Sequence, residues 1–148
     1  MIKYFIEVSK NSSKIGNVLC APANERIWHW TILNDLRKGD VVYHISTEER
    51  PPLLIGKSKV KTSAKERKLV LKEYPKYQKS WEVKLFNYKK LRIPILFDKE
   101  FSSRLRKAYF KVNKSPFNIH YSLNQIYCCE MDVKLRNFLE REIKIKNG

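Results

Sequence analysis

Alternation of apolar and polar positions begins at the N-terminus, where Tyr4-Phe5-Ile6-Glu7-Val8 reads as a strand rich in aromatic and β-branched residues. Residues 10–26, punctuated by Asn, Ser, Gly and Pro22, read as a long loop. Arg26-Ile27-Trp28-His29-Trp30 follows, leading into a short helical or turn stretch that ends by Arg37. Lys38-Gly39-Asp40 is a turn. Val41–Ile45 and Leu53–Val60 pattern as a hairpin joined through a polar, Pro-bearing connection from Glu48 to Pro52. The charged stretch 64–79, with Pro75 inside it, predicts a helical turn plus loop. Ser80–Tyr88 alternates Trp81, Val83 and Leu85 onto one side as a further strand. Leu91–Ile95 extends the sheet, with Pro94 marking an edge or strand end.

The period then changes. Asp98 is placed as the N-cap of a helix carrying Phe101, Leu105 and Ala108 on one face. Residues 111–122 read as a loop, Ile126–Cys129 as a short apolar segment. Asp132 then caps a last helix with Leu135, Phe138, Leu139 and Ile143 on its buried face. No repeat and no long linker divides the 148 residues, so one domain over 1–148 is expected. Strands with helices tucked between and after them predict an α+β fold, a small mixed β-barrel.

Charge narrows the partners. Lys+Arg is 31 against Asp+Glu 15, a net charge of +16, which favours polyanions, nucleic acid first. An aromatic share of 12% excludes a disordered basic tail. No apolar run approaches the length of a membrane span, and no signal-peptide layout or lipidation signal is present. A cytoplasmic location and no membrane partner are therefore expected. Lys57, Lys59 and Lys61 alternate along a strand and so present three ammonium groups on one face. With Lys65, Arg67 and Lys68 they form the densest cationic stretch and the candidate phosphate contacts.

Catalytic chemistry finds little support. Gly56-Lys57-Ser58 lacks the upstream glycine of a phosphate loop, since position 51 is Pro51. His29, His44 and His120 have no metal-ligand spacing, and Cys20, Cys128 and Cys129 form neither a zinc pattern nor a C-x-x-C. The four aspartates sit mostly where turns and caps want them. A Cys–His pair would have to join Cys20 to His29 or His44, with nothing local to support it. No catalytic residue, metal or cofactor is assigned. The aromatics speak more clearly. Trp28 and Trp30 flank His29 just after a polar loop, Tyr43 lies mid-strand and Trp81 opens another strand. Indoles on a cationic surface are what base stacking requires, and an aromatic enclosure favours a methylated base.

These residues carry a resemblance. The N-terminal strand, Ile27-Trp28-His29-Trp30, then Leu36-Arg37-Lys38-Gly39-Asp40-Val41-Val42-Tyr43, the strand with Gly56, and Trp81-Glu82-Val83-Lys84-Leu85 follow the order of the EVE-like branch of the PUA-like superfamily. YTH and ASCH domains are relatives. Asn124-Gln125-Ile126-Tyr127 leading to Asp132 resembles the end of the N-terminal domains of archaeal McrBC-type restriction systems. The resemblance implies a barrel that flips one modified base into an aromatic pocket, as the specificity module of a modification-dependent restriction enzyme. Trp28 or Trp30 would stack, Trp81 would form another wall, and Tyr43 joins the pocket set. Lys10, Asn11 and Ser12 follow the first strand, where relatives place polar groups; Asn11 and Ser12 would read the base edge and Lys10 a phosphate. Modified duplex DNA is then the partner, with AAA+ and nuclease parts alongside. A reader of modified RNA and an ASCH-like ribonuclease are the competing readings.

Overall fold

Alternating strands assemble into one seven-stranded mixed sheet that curls into a half-barrel. The computed structural model describes residues 1–10, 15–23, 25–68, 79–109, 111 and 113–148. The strands are β1 (Tyr4–Ser9), β2 (Val18–Pro22), β3 (Val41–Ser46), β4 (Leu53–Val60), β5 (Lys65–Lys68), β6 (Lys79–Leu96) and β7 (Cys128–Met131). Helices α1 (Trp28–Thr31), α2 (Lys99–Ala108) and α3 (Val133–Asn147) flank them, α1 running into a 3₁₀ turn over Ile32–Asp35. The sheet order is β2-β6-β4-β3-β1-β7, with β5 pairing β6. β1 and β3 run parallel and all other pairs are antiparallel.

The β3–β4 hairpin, the first strand and both capped helices form where the pattern places them. Asp98 accepts from Phe101 N–H and Asp132 from Leu135 N–H, both at 2.9 Å, which satisfies one open donor of each helix start. Elsewhere the structure differs from expectation. The loop expected over 10–26 contains β2, which gains its backbone partners from β6 through Val18↔Lys84 to Pro22↔Ser80. Lys65–Lys68 is strand β5 rather than a helical turn, again templated by β6. The two strands expected over 80–95 are one 18-residue strand.

Strand alternation gives the sheet two apolar faces. One packs Ile6, Tyr43, Ile45, Leu54 and Ile95 against Phe101 and Leu105 of α2 and Leu135, Phe138 and Leu139 of α3. The other, concave face packs Phe5, Leu19, Val42, Val60, Val83 and Leu85 against Trp30, Leu33 and Leu36.

Candidate nucleic-acid interface

Polar side chains interrupt the concave face at three inward strand positions. Glu7 follows Phe5, His44 follows Val42, and Ser58 precedes Val60, each two residues from a core neighbour on the same face. All three are buried and bonded into a chain. His44 Nδ1 lies 2.6 Å from Glu7 Oε1, and His44 Nε2 is hydrogen-bonded to Ser58 Oγ. Tyr127 Oη donates to Glu7 Oε2 at 3.0 Å, and its backbone N–H donates to His29 Nδ1 at 3.0 Å. The chain thus runs from α1 across the floor of the half-barrel. An accepting Nδ1 is unprotonated, and burial agrees by pushing the His29 imidazole below its ordinary value. Burial also pushes the Tyr127 phenol well up, with the Glu7 charge adding to it, so Tyr127 remains a donor.

The expected aromatic pocket residues divide. Trp28 and Trp30 lie on α1 rather than at a loop–strand junction. His29 stands edge-on to both indoles, with ring centroids 5.5 and 5.8 Å away. Trp30 is sealed in the concave core, whereas Trp28 is half-buried. Trp81 packs against the same core, and its indole N–H is buried without a hydrogen-bond partner among the described residues. Tyr43 faces the other way: it is 1% exposed in the core under α2 and α3 and hydrogen-bonds Glu140. It therefore shares no wall with Trp30 or Trp81, because odd and even positions of β3 point to opposite faces. Asn11 and Ser12 lie outside the described residues.

The cationic stretch is likewise split. Lys59, Lys61, Lys65 and Lys10 are exposed. Lys57 is engaged: its Nζ lies 3.0 Å from Glu140 and 5.7 Å from the centre of the Tyr43 ring, on the helix-bearing face. Burial pushes the Glu140 carboxyl up, yet hydrogen bonds from Tyr43 and Lys57 and the charges of Lys57 and Arg136 outweigh it and leave the group low. Arg67 is exposed, with its Nε 3.1 Å from Glu82 on the neighbouring strand. Lys68 lies in β5, and nothing is described of its side chain. Among the described residues no group of three or more His, Cys, Asp or Glu is placed to hold a metal ion, and no helix is long and apolar enough to cross a membrane.

Glu7, Ser58, Tyr127 and Tyr88 were not singled out by the sequence. A polar residue at an inward position of an otherwise apolar strand was the available signal for Glu7 and Ser58. Tyr88 reaches His44 only through a backbone irregularity, which no residue pattern announces.

No family model matches the sequence, and no curated protein does so significantly. Solved structures do resemble it along its length. A hypothetical protein from Leishmania major gives a TM-score of 0.63 at 14% identity, covering 100% of this chain and 98% of that one. Human THYN1, in complex with 5-methylcytosine-containing DNA, gives 0.61 at 9% identity, covering 99% and 98%. The N-terminal domain of Staphylothermus marinus McrB gives 0.60 at 11% identity, covering 95% and 94%. Likeness at such low identity speaks for architecture alone, and that architecture is the small α+β, PUA-like half-barrel.

Proposed function

We propose that residues 1–148 are a non-catalytic DNA-binding module that recognises a methylated base by taking it out of the duplex into an aromatic pocket. In this reading it is the specificity domain of a modification-dependent restriction system whose AAA+ and nuclease parts lie elsewhere. The observation that carries the reading is the end-to-end likeness of fold to human THYN1, whose structure holds 5-methylcytosine-containing DNA. A net charge of +16 and the half-buried Trp28 on α1 support it.

The energetics are consistent with such a task. Extruding a base costs a few kcal/mol, and stacking on an aromatic returns about 1–3 kcal/mol. Trp28 is the stacking side chain, and Trp81, its indole N–H buried without a partner among the described residues, lines the concave face on β6. Trp30 supports α1 from beneath. Lys10, Lys59, Lys61 and Lys65 contact phosphates and supply salt-dependent affinity without sequence preference.

Equilibrium binding to matched methylated and unmethylated duplexes, and to methylated and unmethylated single-stranded RNA, tests this. Preference for a methylated duplex supports the reading. Tighter binding to methylated RNA than to any duplex reassigns the module to RNA, and cleavage of RNA without a partner makes it an enzyme.

A further inference from the structure

Glu7, His44 and Ser58 are 3, 0 and 2% exposed, in a core that Phe5, Val42 and Val60 would otherwise make apolar. Sealing such groups is costly unless they are bonded, and apolar residues of similar volume often stabilise a core equally well. Their bonds can be given directions. Tyr127 Oη receives Cys20 N–H at 2.9 Å, so its own proton goes to Glu7 Oε2. A carboxylate oxygen accepts from Nδ1–H, and in that tautomer of His44 the ring accepts from Ser58 Oγ–H through Nε2. Every proton of the chain is then engaged. Among the described residues, what remains is acceptor capacity: lone pairs of Glu7 and of Ser58 Oγ that no described donor takes.

The backbone aims a flat ring at this cluster. Pairing registers shift between His44 and Ile45, between Leu54 and Gly56, and between Lys57 and Lys59, and Asn87 adopts φ 56°. Such bulges re-aim side chains. Here Trp81, Val83 and Leu85 point into the concave core, and the irregularity at Asn87 brings Tyr88 against His44, edge-on at 5.7 Å. The Tyr88 ring lies between Gly16 and Gly56; a Cβ at either would come within 2.7 Å of it. Tyr88 is 37% exposed, so the slot it fills meets solvent.

We propose that this slot receives the extruded base as Tyr88 swings out, and that the spare acceptors of Glu7 and Ser58 select a base bearing an exocyclic amino group. Cytosine- and adenine-type bases offer N–H donors to those acceptors. Thymine- and uracil-type bases present a keto oxygen there, acceptor against acceptor. This rests on the base-extruding reading above and adds which bases it admits. The same residues also have the order of a serine–histidine–acid relay, and the test separates that possibility.

The test uses the full chain and duplexes in which the central base faces an abasic site, which equalises the cost of opening. The tighter of 5-methylcytosine and N6-methyladenine is compared with thymine. The wild type should prefer the amino base by about tenfold or more, the scale of one good base-edge contact. Glu7→Gln, which can donate to a keto oxygen, should bring the preference close to unity, and Ser58→Ala should weaken it. If Glu7→Gln does not fold, the smaller Ser58→Ala change decides. Wild type that prefers methylated over unmethylated paired duplex yet binds thymine equally well overturns this inference and leaves the reader function standing. A folded Ser58→Ala with unchanged preference also overturns it, as does labelling of Ser58 by a fluorophosphonate. Loss of any methyl preference in the wild type removes the reader function itself, and this inference with it.

Discussion

Replacing the two indoles of α1 separately divides stacking from packing. They are two residues apart on a helix with about 3.6 residues per turn, so their side chains diverge by roughly 200°. Trp30, 7% exposed, is clustered with Leu19, Leu33 and Leu36, whereas Trp28 is half-buried. Trp30→Ala empties part of the core and should cost about 3–5 kcal/mol. At roughly 2–4 °C per kcal/mol for a domain of this size, the melting temperature should fall by about 6–20 °C. Trp28→Ala removes little core and should cost about 1 kcal/mol, a shift of a few degrees. Binding to a methylated duplex should respond in the opposite sense. Losing the Trp28 stacking platform should weaken it by about 1–3 kcal/mol, roughly 5- to 150-fold. Thermal melts by circular dichroism read the first effect, and fluorescence anisotropy with labelled duplexes reads the second. A stable, fully discriminating Trp28→Ala refutes the assignment, as does a Trp30→Ala variant that keeps its melting temperature while losing methyl preference.

Joint removal of the exposed Lys59 and Lys61 should weaken binding to all duplexes alike and reduce the slope of log K against log salt by about 2. Lys57→Ala should leave that slope unchanged, because its ammonium is held by Glu140. His29 favours its neutral form in the fold, with a pKa below the ordinary 6.5, so the unfolded chain binds more protons between those two values. Stability should therefore fall as pH drops from about 6.5 towards the folded value, and His29→Gln should flatten that part of the melting-temperature profile. Burial pushes the Cys129 thiol up to about 11 and Cys128 well above its ordinary value. Iodoacetamide at pH 8 should accordingly modify the half-buried Cys20 first, read by mass spectrometry, and the vicinal pair only on unfolding.

Where local chemistry and tertiary context agree, the fold was legible. β1 and the β3–β4 hairpin follow from alternation, and α2 and α3 from an aspartate cap ahead of a helical apolar stripe. β2 was hidden by Gly16, Asn17 and Pro22, which punctuate a short strand whose order comes from β6. Lys65-Glu66-Arg67-Lys68 has no strand pattern at all, and its conformation is imposed by pairing and by the Arg67–Glu82 contact. In the candidate site, Trp28, Trp30 and Trp81 were visible as aromatics on a basic chain, and the structure sets Trp30 and Trp81 in the concave cluster while Trp28 is half-buried on the same short helix as Trp30. Tyr43 was grouped with them because residue type does not reveal which face a strand position takes. The Glu7–His44–Ser58 chain escaped because its members lie 37 and 14 residues apart and meet only through strand pairing.

The central claim is that one methyl group on one base changes how strongly this chain holds a duplex. Dissociation constants measured at fixed salt for otherwise identical duplexes, with and without 5-methylcytosine or N6-methyladenine, test it most directly. The account predicts about tenfold or tighter binding to one methylated duplex. Equal affinity for methylated and unmethylated duplexes would contradict it.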